Sequence, residues 1–165
     1  MLSDLGWALP QLSATVFPAF ASVQQETAAE GDAVAAFRPG IVVVALAEGL
    51  TAATSYAGYT RWGWNGSGEM VDALIVIDRG FDGSSSPYRR TVRAHELGHA
   101  LGYNHVTARP SVMDAMATTE PNQFDRDGAR IAFQRPVLNR SPDADPKPAF
   151  GTSARSTTVT RSGAP

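Results

Sequence analysis

The stretch HELGHALGYNH, residues 95–105, constrains this chain more than any other, because all three histidines of its 165 residues lie inside those eleven positions. In an α-helix, positions four apart differ by about 40° around the axis, so His95 and His99 project from one face, one turn apart. Two imidazoles so placed can share one metal ion. Glu96 lies about 100° further round, within reach of a metal-held water without having to be a ligand. Gly102 accepts the positive φ with which a helix turns sharply out of its axis, and Tyr103 and Asn104 then bring His105 back towards the pair. The fold has to supply a helix and a following bend that aim three rings at one point.

Three neutral imidazoles leave the fourth position of tetrahedral zinc to water, which is the open arrangement of a catalytic site. The sequence has no cysteine, so a thiolate zinc site, a disulfide framework and a cysteine nucleophile are excluded. Isolated histidines are more often hydrogen-bonded core residues than ligands. At average residue usage, however, the five fixed positions of HExxHxxGxxH coincide by chance in a chain this long less than about once in ten thousand.

Around this stretch the pattern alternates. PAFASVQQETAAE, residues 18–30, suits a helix that opens with proline and stops at Gly31. VAAFR and IVVVALAEGL look like strands, the second apolar enough for burial on both faces. SYAGYTRWGW and EMVDALIVID are two more, joined by NGSG as a hairpin. The aromatic-rich member, Tyr56 to Trp64, suits an exposed edge, and Val71 to Ile77 its buried neighbour. DRGFDGSSSP reads as a turn cluster. A helical run follows from Pro87 to about Leu101, with Ser86 as its N-cap, and FDRDGARIAFQ gives a last helix starting near Asp125, with Ile131 and Phe133 as apolar contacts. Strands, a long helix, irregular chain and a C-terminal helix make an α+β domain. From about Pro136 the chain is rich in Pro, Ser, Thr, Asp and Arg, which reads as a disordered tail. The division is therefore a domain over 1–135 and a tail over 136–165.

Charge narrows the partners. A net charge of −2 and a pI near 5.9 argue against nucleic acid and anionic membrane, which are met by clustered Lys and Arg. Arg89, Arg90 and Arg93 read as a solvated helix face. No window approaches the roughly 18 apolar residues of a membrane span, and the N-terminal stretch, with Asp4, two prolines and no Lys or Arg, makes a poor signal peptide. The sequence sets no oligomeric state, and it is compatible with a piece of a longer protein.

HELGHALGYNH followed by SVM at 111–113 resembles the metzincin zinc peptidases, and the interval from His105 to Met113 resembles their matrixin branch. The resemblance implies a twisted, mostly parallel sheet with an antiparallel edge strand, an active-site helix, a Met-turn and a C-terminal helix. It implies His95, His99 and His105 as ligands of one catalytic zinc, Glu96 as general base and acid, and Met113 as the apolar floor beneath the rings. A peptide or protein substrate would lie along the edge strand at Gly58, Tyr59, Thr60, Arg61 and Trp62, and the location would be extracellular, as in secreted relatives. The chain departs from the matrixins in four ways. No histidine is left for a second zinc. Calcium loops are not recognisable, so Ca2+ rests only on the scattered Asp72, Asp78 and Asp82. No cysteine-bearing propeptide is present, and Asp-Ala-Met follows Met113 where Tyr-Pro is usual. The rival to a zinc-dependent peptidase is a zinc-containing, non-catalytic peptide- or protein-binding module derived from one; the intact Glu96 favours the enzyme.

Overall fold

The apolar run ALIVI builds the centre of the sheet. In the computed structural model, which describes residues 1–23, 40–64, 70–134 and 154–161, these residues belong to β3 (Met70–Asp78) and are buried from Ala73 to Ile77. A strand covered on both faces reads as a continuous apolar run. β1 (Val42–Ala47) pairs with β3 in parallel, Val44 opposite Ile75. β2 (Tyr56–Trp64) pairs with the other side of β3 antiparallel, Gly58 opposite Ile77. The NGSG turn lies outside the described residues, but the antiparallel pairing it predicts is present.

A strand after the last helix was not expected. β4 (Ala154–Arg161) pairs antiparallel with the outer side of β2, giving the order β1-β3-β2-β4. Three expectations change with it. The sheet is not mostly parallel among the described residues, since β1 and β3 form the parallel pair and the other two pairings are antiparallel. Residues 154–161 of the tail read as disordered are ordered in a strand, because Thr and Val suit a pleated ladder despite the polar composition; 135–153 and 162–165 lie outside the described residues. β2 is not an open edge, and its Ala57, Thr60 and Trp62 are buried. The edges among the described residues are β1 and β4, and β1 is mostly half-buried, not covered on both faces as expected.

Five helices flank the sheet among the described residues. α1 (Leu2–Leu12) buries Leu5, Ala8, Leu9 and Leu12, the i, i+3, i+4, i+7 stripe of a helix lying on a core. It packs against α4 (Arg89–Ala100), the helix of the histidine motif. α2 (Leu50–Thr54) follows β1, and α3 (Arg79–Gly83) follows β3 where a turn cluster was expected. Asp78 converts that cluster into a helix by accepting a hydrogen bond from the Phe81 amide at 2.7 Å, as an N-cap does. Ser86 is not the N-cap expected, since α4 starts at Arg89 after Tyr88; the Ser86 hydroxyl accepts from the Tyr88 amide at 3.3 Å. α5 (Gln123–Gln134) closes the described part of the domain, with Asp125 and Ala129 buried.

The arginine face of α4 is not wholly solvated. Arg93 is buried between Asp82, at 2.6 Å, and Asp4 of α1, and Arg90 lies 3.4 Å over the Trp7 ring. Burial works against the Arg93 charge, but Asp82 and Asp4 outweigh it and raise the guanidinium pKa. Ile131, expected as a contact of the last helix, is 70 % exposed; Phe133 instead meets Phe17 and Tyr103 edge-on. Residues 18–23, expected to begin a helix, are irregular, while the rest of that helix and VAAFR lie outside the described residues.

Candidate metal centre

The three rings converge. His95 and His99 are buried on α4, and the chain leaves that helix through Gly102 at φ +96°, so that His105 returns with its ring 5.2 Å from that of His95 and 4.8 Å from that of His99. One nitrogen from each lies within 4.8 Å of the other two, and among the described residues this is the grouping able to hold a metal ion.

Their protonation follows from their partners. His95 Nδ1 donates to the Val112 carbonyl and His99 Nδ1 to the Tyr103 carbonyl, each at 2.7 Å. A carbonyl only accepts, so each Nδ1 carries the hydrogen and each neutral ring presents a bare Nε2. Burial lowers His95 to about 4 and His99 to about 3, keeping both neutral at pH 7. The two Nε2 atoms face each other at 2.9 Å with no proton between them. His105 Nε2 is buried without a hydrogen-bond partner, and burial lowers its pKa as well. Lone pairs gathered this closely are stable around a cation, so the donor set fits zinc.

Glu96 is fully buried beside them. The Thr60 hydroxyl donates to Glu96 Oε2 at 2.5 Å and lies 3.0 Å from the Glu96 carbonyl. Two strand positions away, a Cβ on Gly58 would come within 3.1 Å of Glu96 Oε1, so glycine there leaves room for the carboxylate. Two positions the other way, Trp62 stacks on His99, ring centroids 6.1 Å apart and 15° from parallel. Alternate residues of a strand share a face, and the face carrying Gly58, Thr60 and Trp62 forms a wall of the site. The expected substrate edge thus has a second role in three of its five residues. Tyr59 and Arg61 occupy the intervening positions.

Met113 is buried, and a side chain at Gly98, next to His99, would collide with its sulfur. The Val106 amide donates to the Met113 carbonyl at 2.9 Å, tying the chain after His105 to this turn. The turn is held in place by Asp125, which sequence reasoning took only as a helix start. Its carboxylate accepts from Ser111 Oγ at 2.5 Å, the Val112 amide at 3.1 Å and the Asn122 amide at 2.9 Å. Val112 is the residue whose carbonyl orients His95. Of the carboxylates considered for calcium, Asp78 accepts from the Thr51 and Phe81 amides and Asp82 is paired with Arg93.

A family model described as Matrixin, for M10 peptidases, matches residues 24–131. No curated protein and no solved structure matches the chain.

Proposed function

Because the chain belongs to the matrixin family, we propose that it is a zinc endopeptidase in which His95, His99 and His105 hold one zinc and Glu96 moves the proton. The observation that carries this reading is the pair of bare Nε2 atoms 2.9 Å apart, with Glu96 buried alongside. When bound, zinc supplies Lewis-acid chemistry, lowering the pKa of a water towards about 7 and polarising the substrate carbonyl.

The protein's own groups do the rest. The Val112 and Tyr103 carbonyls fix the tautomer and tilt of two ligand rings, as outer partners of metal-bound histidines do. Glu96 takes a proton on its carboxylate as water attacks the peptide carbonyl, then passes it to the departing amine. Thr60 holds that carboxylate through Oε2. The substrate is an extended peptide aligned on β2 along Gly58 to Trp62, where main-chain hydrogen bonds supply affinity without demanding a sequence. An extracellular location, by resemblance to the family, belongs to the same proposal; no helix of the described residues is long and apolar enough to cross a membrane.

Zinc content and turnover, measured together, test the assignment. Glu96→Gln is expected to keep about one equivalent of zinc and to lose about 10²- to 10⁴-fold in peptide hydrolysis. His105→Ala is expected to lose zinc while keeping its secondary structure by circular dichroism. Wild-type turnover in Glu96→Gln excludes the base, and a full equivalent of zinc in His105→Ala excludes that ligand. A wild-type protein that holds zinc and captures peptides without cutting them is the binding module instead.

A further inference from the structure

We infer that residues 154–161 occupy the strand-binding edge on which a peptide substrate is to lie, so that substrate enters by displacing the protein's own β4. This rests on the peptidase reading of the site. β2 has two edges, and β3 takes one of them along Gly58 to Trp64. The other is taken by β4, antiparallel, with Gly58 opposite Thr160, Thr60 opposite Thr158 and Trp62 opposite Ser156. These are the β2 positions that form the wall beside Glu96 and His99. β4 also contacts α4, the helix that carries the ligands. It is therefore an extended segment paired along the strand that walls the candidate centre.

A strand edge pairs with one neighbour at a time, because each outward amide and carbonyl has a single ladder position to fill. Substrate and β4 are consequently competitors for the same backbone groups. The composition of the segment favours pairing of this kind. ARSTTVTR contains no proline and three β-branched threonines with a valine, which suit an extended ladder. It also lies beyond residue 131, where the match to the family ends. Tethering adds to its strength as a competitor, since a segment on the same chain acts at an effective concentration of about millimolar. An added peptide must overcome that, and its apparent affinity falls in proportion to the fraction of molecules with a free edge.

The test uses the full-length, zinc-loaded chain and a double substitution, Thr157→Pro with Thr158→Pro. Adjacent residues of a strand aim their amides to opposite sides, so one of the two prolines removes a ladder donor facing β2. The paired serine substitutions at 157 and 158 are the control. Amide exchange over residues 56–64 reads the edge independently of catalysis: the proline variant is expected to exchange at least about tenfold faster at β2, with β3 unchanged and the serine control like wild type. A labelled synthetic peptide, ARSTTVTR, is then titrated into each protein carrying Glu96→Gln, so that it is not cut. It should bind the proline variant at least about tenfold more tightly than the native tail allows. Equal exchange at β2, or equal peptide affinity in the two proteins, overturns the inference. Neither readout depends on turnover, so a chain that cuts nothing refutes the peptidase reading and still leaves the competition decided by exchange and binding.

Discussion

The buried Thr60 hydroxyl donates to the Glu96 carboxylate, its Oγ1 2.5 Å from Oε2. Thr60→Val keeps the shape and removes the donor. The expected result is a fall of about tenfold or more in kcat, corresponding to loss of a hydrogen bond to a charged group, with KM nearly unchanged and zinc retained. Thr60→Ser should restore most of the rate, which a purely structural role for the side chain would not require; a valine variant with native kcat refutes the assignment. The clustering of the three histidines was legible in the sequence because helical periodicity and one glycine fix their directions over a short span. Thr60 was singled out there only for its place on an edge. Its partner stands 36 residues away, and the register that brings the two together is set by pairing between strands, which local sequence does not encode.

Between elements, the turn at residues 111–113 and α5 are joined by Asp125, and through Val112 that joint reaches His95. Asp125→Ala should therefore weaken zinc binding by about 10- to 100-fold, the usual effect of losing an outer partner of a metal ligand, although it touches no metal-binding atom. Competitive titration with a chromophoric chelator measures this, and native affinity in the variant would show that the turn holds itself. The three strands β1, β2 and β3, with α4 and α5, were legible from apolar runs, Asn-Gly and proline or glycine punctuation. α1 was not, because Pro10 and a mixed composition hide its stripe of Leu5, Ala8, Leu9 and Leu12. Arg93 misled for a related reason. An arginine on a helix is normally solvated, and its burial depends on Asp4, a residue 89 positions earlier.

For the molecule as a whole, a metal shared by α4 and the chain after it would clamp the fold. Zinc at about a thousandfold above its dissociation constant adds about 4 kcal/mol, so chelation should lower the Tm of the loaded protein by about 10 °C. An unchanged Tm would mean that the rings do not hold the ion. The chelated protein should also be acid-sensitive. His95 and His99, lowered to about 4 and 3 by burial, stay neutral in the fold while unfolded histidines protonate near 6.5. Stability is thus full above about pH 6.5 and declines as pH falls towards the folded values. A chelated protein whose Tm is flat between pH 7 and 4 contradicts this.

Tyr103 gives the amino end of the chain a say in this clamp. Its hydroxyl is bonded to the Leu12 carbonyl at 2.7 Å, while its own carbonyl receives the His99 ring. Trimming the first dozen residues, or crowding them with a fused tag, would be transmitted through Tyr103 as a change in the tilt of the His99 ring.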